Sequence, residues 1–397
     1  MSGFAIRSKM NDIDEAPGKV WFWELEQAVI DPGRCVQCGT CVAACPSDSI
    51  GIGTDNLPKL VKMCTGCSLC WDFCPRGGLR YEASWKLIAE DHGASGLGVI
   101  HESHTARVRT GVPGRQDGGV VSAILIALLE SGELDGALVA RESATEPWKG
   151  EAYLARTPEE VLECAGSFYN QTMALGHLDL KRYDLPPDAR IAVVGTPCEI
   201  EGIKAMQARP WIWGASRVDA VTLTIALLCT KSFNYEQLML QEIQRKRGID
   251  LASVGKVDVI RGKMLVYDRQ GNTLVDESVR DFHGAALKGC DECADFLGRT
   301  ADISVGSVGS ADGYSSVLIR SQAGLRAFDR VRHQLELREL DKPEGLEKLD
   351  ALDKKVAFRS LQRPFNPEGP LFIDYEEHLQ HYAGTDRAPV EHDAVRY

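Results

Sequence analysis

The stretch Cys35-Val36-Gln37-Cys38-Gly39-Thr40-Cys41-Val42-Ala43-Ala44-Cys45-Pro46 recurs in pattern as Cys64-Thr65-Gly66-Cys67-Ser68-Leu69-Cys70-Trp71-Asp72-Phe73-Cys74-Pro75. Together they hold eight of the chain's thirteen cysteines in one doubled spacing, CxxCxxCxxxCP. That spacing is the signature of two 4Fe–4S clusters: three thiolates on one loop bind one cluster, and the fourth, before proline, reaches to the other. Cys35, Cys38, Cys41 and Cys74 are therefore expected to hold one cluster. Cys64, Cys67, Cys70 and Cys45 are expected to hold the second. A zinc ribbon would show two CxxC units, and a disulfide framework would need an oxidising compartment.

Working outward, the whole chain has 397 residues, enough for two or three domains. Its 44% hydrophobic and 26% charged residues are those of an ordinary soluble globular protein. A net charge of -12 argues against a nucleic-acid scaffold, which needs a basic face. The longest apolar run, Val221 to Cys229, is too short to span a bilayer, and no export signal opens the sequence. Many thiols that must stay reduced point to the cytoplasm, with peripheral docking on a membrane complex left open.

The chain divides into an N-terminal extension (1–30), an α+β ferredoxin-like two-cluster module (31–85), a connector (86–115), a mixed α/β domain (116–345) and a C-terminal helix and tail (346–397). Trp21 and Trp23 suggest a strand covering a cluster, or a plain hydrophobic anchor. The connector is rich in Gly, Ser and His. Its His92, His101 and His104 lack a second spaced ligand set and read as surface histidines. In the larger domain, Val120–Glu130 has helical apolar density, while Gly136–Ala140, Arg190–Val194 and Val218–Leu228 read as buried strands. Glu199–Ala208 reads as a helix between two of them. Strands alternating with helices predict a sheet whose chemistry lies at the strands' carboxyl ends. Gly255–Asp276 reads as a hairpin turning at Gln270-Gly271-Asn272. Residues 325–360 read as an amphipathic helical stretch, and Pro364, Pro367 and Pro370 mark an extended tail.

Five cysteines remain. Cys198 and Cys229 close two expected strands, and Cys290 and Cys293 share a loop. Four thiolates suffice for a third 4Fe–4S cluster, but one CxxC with two singles is equally the pattern of free core cysteines or a zinc site. Cys164 stands alone and reads as a core thiol. Gln116-Asp117-Gly118-Gly119 precedes a helix, whose positive end attracts anions. Gly306-Ser307-Val308-Gly309-Ser310, continuing to Gly313-Tyr314-Ser315-Ser316, is a second donor-rich loop. Neither is a GxGxxG fingerprint or a Walker loop.

Taken together, QDGG at 116–119, GTPC at 195–198, LLC at 227–229, KGCDEC at 288–293 and GSVGS…GYSSVLIR at 306–320 resemble the family of coenzyme F420 hydrogenase/dehydrogenase β subunits. The order of modules, two clusters first, is similar to that of the F420H2-oxidising input subunits of respiratory F420H2 dehydrogenases and to the input half of F420-dependent sulfite reductase. The resemblance implies a bound FAD, with Arg115, Gln116, Asp117, Gly118, Gly119, Ser122, Gly195, Thr196, Pro197, Ser307, Gly309, Ser310, Gly313, Tyr314 and Ser315 around it. It also implies a cluster held by Cys198, Cys229, Cys290 and Cys293. The implied activity is hydride exchange between coenzyme F420 and FAD, followed by single-electron transfer through three 4Fe–4S clusters to or from a redox partner subunit: a dehydrogenase, a hydrogenase or a quinone-reducing complex.

The anionic tail of F420 needs fixed positive charge, for which Lys204, Lys231, Arg261, Lys263 and Arg320 are the candidates. No acid–base pair is expected. Two other readings compete. One is a ferredoxin-dependent flavin and iron–sulfur reductase of a tetrapyrrole-type substrate in the same superfamily. The other is a non-catalytic electron-wire subunit, which the intact glycine loops disfavour.

Overall fold

The computed structural model describes residues 20–77, 96–110, 112–208 and 217–361. His92, most of the N-terminal extension, part of the connector and the proline-bearing tail lie outside the described residues.

The N-terminal module is built by its repeated loops. Gln37 and Gly39 take positive φ (54° and 79°), and the equivalent Gly66 and Ser68 do the same (67° and 68°). These left-handed residues curl each run so that its cysteines face inward. A short helix follows each turn, Thr40–Ala44 and Leu69–Asp72. Two strands complete the module, β1 (Ile50–Ile52) and β2 (Pro58–Leu60), antiparallel with Ile50 opposite Leu60.

The expected strand at Trp21 is instead a helical turn, Phe22–Leu25, continued by a π-turn over Glu26–Ile30. Its buried residues Trp21, Phe22, Leu25 and Val29 recur at helical spacing and form one apolar face against the module. The Trp21 ring still covers a ligand loop, because any Cβ at Gly66 would come within 3.0 Å of it.

The larger body is an eight-stranded mixed sheet. Its strands are β3 (Glu102–Val108), β4 (Gly136–Glu142), β5 (Gly150–Ala155), β6 (Ile191–Gly195), β7 (Val221–Leu227), β11 (Ile303–Gly306), β12 (Ser315–Ile319) and β13 (Leu335–Arg338). They stand in the order β13-β3-β12-β11-β7-β6-β4-β5. β4, β6, β7 and β11 run parallel, whereas β12 is antiparallel to both β11 and β3. β3 therefore points the same way as the parallel set.

Two expectations change here. The stretch expected to be a patternless connector supplies β3, a strand inside the sheet, because Thr105, Ala106 and Val108 are buried between β12 and β13. The stretch 325–360, expected to be one helical run, is a helix (Gln322–Val331), then β13, then a second helix (Pro343–Leu361). Pairing of Leu335 and Leu337 with β3 captures residues that would otherwise continue the first helix.

Helices Val120–Glu130 and Gln322–Val331 cover one face of the sheet, with Ile124, Leu128, Phe328 and Val331 in the main core. Helix Pro197–Ala208 covers the other face, where Ile200, Ile203 and Met206 meet Ala43, Ala44 and Phe73 of the N-terminal module. The module is thus packed into a shared core. A three-stranded antiparallel meander, β8 (Val254–Ile260), β9 (Lys263–Asp268) and β10 (Thr273–Ser278), forms a separate lobe with its own apolar centre at Val257, Met264, Val266 and Phe282. The expected hairpin over Gly255–Asp276 is part of this meander. No described helix is long and apolar enough to cross a membrane.

Candidate redox centre

The carboxyl ends of the parallel strands share one edge, the usual ligand position in such sheets. β6 ends there at Gly195-Thr196-Pro197-Cys198, β7 at Leu228-Cys229, and β11 at Gly306-Ser307. β3 ends at the same edge, where Val108 N donates to the Gly118 carbonyl at 2.9 Å. Helices Val120–Glu130 and Pro197–Ala208 begin there, with their positive ends toward it.

The eight N-terminal cysteines lie close to one another in the module. Burial raises the Cys41 thiol well above its ordinary pKa, and repulsion from Cys35, Cys38 and Cys74 adds to it. Burial likewise raises Cys64 to about 11, with Cys45 and Cys67 adding. Each crossover cysteine therefore sits with the opposite run. A cavity lined by Cys35, Cys38, Cys41 and Cys74, with Pro75, Arg76 and Met173, lies at the centre of the first group. Backbone N–H groups point at the sulfurs: Gln37 to Cys35 at 3.4 Å, Gly66 to Cys64 at 3.3 Å, Ser49 to Cys45 at 3.3 Å and Arg76 to Cys74 at 3.4 Å.

The late cysteines also converge. Burial raises the Cys229 thiol well above its ordinary value, with Cys290 and Cys293 adding repulsion. Burial raises Cys198 in the same way, and Cys38 and Cys293 are among the charges it feels. Cys198, Cys38, Val36 and Cys290 share one apolar cluster, so the late group adjoins the first N-terminal one. All four late thiols are free of disulfides. Among the described residues, no three His, Cys, Asp or Glu side chains close on a point suited to a single metal ion. A four-iron cube asks for less, since each thiolate binds a different corner. The residues present thus fit iron–sulfur clusters. Cys164 caps the end of the helix Pro158–Glu163 and packs half-buried on the main core, as expected of a core thiol.

Residues that the spacing did not single out tie the two cysteine groups together. Arg76, 2% exposed, donates from Nε to the Gly289 carbonyl at 2.6 Å and from Nη1 to the Pro75 carbonyl at 2.8 Å. Burial opposes its charge, yet the thiols of Cys293, Cys198 and Cys290 hold its pKa above the ordinary value. Arg34 grips Glu292 with two bonds, Nε–Oε1 at 2.9 Å and Nη2–Oε2 at 2.8 Å. Gln171 donates to Thr196 Oγ1 at 3.0 Å, and the Glu199 carboxylate accepts from Thr196 N at 2.8 Å. The buried Glu199 carboxyl is raised to about 7, mainly by burial.

The anticipated flavin residues separate into two kinds. Arg115 Nη1 is buried without a hydrogen-bond partner among the described residues. Gln116 bonds the meander instead, Nε2 to the Val257 carbonyl at 3.2 Å, while its own carbonyl accepts from Lys256 Nζ at 3.1 Å. Burial and Asp258 raise the Asp117 carboxyl to about 6, with Lys256 offsetting them in part. Gly118 is needed for packing: a Cβ there would strike the Ala106 carbonyl and lie 2.8 Å from Ser315 N. Its N–H already donates to Ser315 Oγ at 3.1 Å. Gly119 has φ +73° and caps the following helix, which carries Ser122 half-buried on its first turn. Gly195 lies against Glu199 and Gly309 against Ser316, while Gly313 faces open space at φ +78°. Ser310 bonds Thr105 and Ser316 at 2.8 and 2.7 Å, and the Tyr314 hydroxyl donates to Glu336 at 2.6 Å. Those two side chains are engaged within the protein. Pro197 and Ser307 remain at the shared edge.

The expected cations are similarly divided. Lys204 pairs with Asp302 at 3.2 Å, at the amino end of β11 and away from the carboxyl edge. Arg320 is buried and ties Ser304 to the Leu97 and Val99 carbonyls. Arg261 and Lys263 form exposed pairs with Asp312 and Asp276 at 2.8 and 2.7 Å. Lys231 pairs with Asp291 beside Cys290, so it stays near the centre. Lys256, not foreseen, stands at the QDGG loop. Of the expected surface histidines, His104 bonds Glu102 at 2.8 Å and stacks on Phe328, and His101 is exposed.

Three family profiles match the chain: a 4Fe-4S dicluster domain at residues 28–80, the coenzyme F420 hydrogenase/dehydrogenase beta-subunit N-terminal region at 103–179, and its C-terminal region at 188–343. The coenzyme F420-dependent sulfite reductase of Methanocaldococcus jannaschii is 33% identical over 86% of this chain. The chain spans about half (52%) of that relative's length. A component of the F420H2 dehydrogenase of Methanosarcina mazei is 30% identical over 80% of this chain and 88% of its own length. A chain in the structure of the F420-reducing [NiFe] hydrogenase complex from Methanosarcina barkeri superposes with a TM-score of 0.62 at 28% identity, covering 67% of this chain and 92% of its own. The mixed sheet, its edge of convergent loops and the doubled cysteine module accord with these matches, and the chain belongs to the family of coenzyme F420 hydrogenase/dehydrogenase β subunits, carrying a 4Fe–4S dicluster domain at its N-terminal side.

Proposed function

We propose that this chain is an electron-converting subunit that exchanges a hydride with coenzyme F420 through a bound FAD and passes single electrons to or from a redox partner subunit through three 4Fe–4S clusters. The observation that carries this reading is the convergence of Cys198, Cys229, Cys290 and Cys293 at the strand edge that also receives the QDGG loop. The F420-linked relatives support the choice of hydride carrier, as the dehydrogenase component and the hydrogenase complex support a partner subunit.

A flavin, when bound, supplies the conversion between paired and single electrons that neither F420 nor iron–sulfur clusters perform alone. The chain's own residues position and insulate. Arg115 offers its unpartnered Nη1 to a flavin phosphate, and the amino end of Val120–Glu130 adds its dipole. Asp117 and Lys256, at the same loop, would orient the ring or its substrate, and Lys231 would offer positive charge beside the late cysteines. Cys35, Cys38, Cys41 and Cys74 would hold the middle cluster, and Cys64, Cys67, Cys70 and Cys45 the outer one. Buried N–H groups aimed at the sulfurs stabilise the ligated thiolates.

The test is anaerobic reconstitution of the whole chain with iron, sulfide and FAD, followed by F420H2 oxidation with a viologen acceptor. Turnover that requires FAD supports the reading. A reconstituted protein that holds iron but neither binds flavin nor consumes F420H2 refutes it.

A further inference from the structure

Arg76 stands out because a wholly buried guanidinium is costly unless an anion lies beside it. Among the described residues, none of the ion pairs gives it a carboxylate. Its hydrogen bonds go to two carbonyls, those of Pro75 and of Gly289, the neighbour of Cys290. Arg34, the other arginine at this junction, is already matched by Glu292. The surroundings of Arg76 are cysteines: it lines the cavity of Cys35, Cys38, Cys41 and Cys74 on one side and faces Cys198, Cys290 and Cys293 on the other.

The internal repeat shows that this charge is placed on one side only. Position by position, the first run reads Cys45-Pro46-Ser47 and the second Cys74-Pro75-Arg76. Ser47 is an uncharged, half-buried hydroxyl 3.5 Å from the Cys45 sulfur. The pseudo-twofold is therefore broken at the one position that, in the second run, enters the gap toward the late cysteines.

We propose that Arg76 is a fixed positive charge shared by two adjoining clusters, setting both to a higher reduction potential than they would otherwise have and leaving the outer cluster without such support. This rests on the three-cluster reading above. An electron arriving on either neighbouring cluster adds negative charge, which a buried cation stabilises; net charge and hydrogen bonding are recognised determinants of cluster potential. Arginine keeps its charge across the accessible pH range, so the bias is permanent.

The experiment is an anaerobic potentiometric titration of the whole reconstituted chain, followed by electron paramagnetic resonance, with iron counted in parallel. Wild type should show three cluster signals; fewer would defeat the three-cluster reading itself. In Arg76→Gln, two signals should titrate lower, by about tenfold in the reduced-to-oxidised ratio at fixed potential or about 59 mV for one electron. The third should stay in place, and Arg76→Lys should keep all three near wild type. Three unmoved signals in Arg76→Gln, or three moved alike, overturn the proposal. So does an Arg76→Lys protein whose signals fall as far as those of Arg76→Gln, since the effect would then belong to the guanidinium's bonds. Loss of iron in both variants would make Arg76 a scaffold residue and equally overturn it.

Discussion

Arg34 and Glu292, 258 positions apart, join the N-terminal module to the late cysteine loop through a two-bond ion pair with Glu292 only 1% exposed. Arg34 also donates to the Ala28 and Arg76 carbonyls at 2.6 and 2.9 Å, so one side chain anchors three segments. Removing one member of a buried pair leaves an uncompensated charge, which typically destabilises by about 3–5 kcal/mol. Glu292→Ala should lower unfolding stability by about that amount in denaturant titrations. A loss below about 1 kcal/mol would show that the pair does not hold the two parts together.

The late cysteines can be separated from the early ones by counting iron. Cys293→Ser should reduce reconstituted iron from about twelve atoms per chain to about eight, with the two N-terminal clusters intact by spectroscopy. Cys74→Ser should instead impair the group containing Cys35, Cys38 and Cys41. Unchanged iron in Cys293→Ser would remove that residue from the ligand set.

Arg115 has a buried donor with no described partner, so its substitution should act on ligand binding more than on folding. A hydrogen bond to a charged group contributes about 1.5–3 kcal/mol. Arg115→Gln should weaken FAD binding roughly ten- to a hundredfold, read as flavin retained after gel filtration and by fluorescence titration. Wild-type affinity in this variant would place the flavin phosphates elsewhere.

Asp117 gives a pH dependence with a definite sign. Its carboxyl titrates near about 6 in the folded chain against an ordinary 3.8, raised by burial and then by Asp258. Between those values the folded state keeps a proton that the unfolded state has lost, so stability falls as pH rises through the window. Asp117→Asn removes that penalty. Because the carboxyl is only half-buried and partly screened by solvent, the variant should gain about 1–2 kcal/mol at pH about 8 and nothing at pH about 3.5 in flavin-free protein. Parallel pH profiles for the two proteins would contradict the shifted carboxyl.

The legible parts were those encoded at short range. The doubled cysteine spacing was legible because the turns it needs, at Gln37, Gly39, Gly66 and Ser68, act within a few residues. The strands after Gly136, Arg190 and Val218 were legible as apolar runs. β3 was not, since Glu102, Ser103, His104 and Arg107 hide a strand whose burial depends on β12 and β13, about two hundred positions later. Nothing in the sequence singled out Arg76 for the same reason: the thiols around it come from positions 198, 290 and 293. Lys204 and Arg320 lay close in sequence to the expected motifs, but helix and strand geometry carried them to Asp302 and Ser304.

Gly202 faces Thr40 of the first ligand helix so tightly that a Cβ would collide with its hydroxyl and lie 3.0 Å from its methyl carbon. Such a seam leaves no slack for a swinging arm: the ferredoxin half is soldered to the sheet rather than carried on a tether. Charge crossing that seam should then be indifferent to solvent viscosity, and any drag imposed by thickened buffer should fall on encounters with molecules outside the chain.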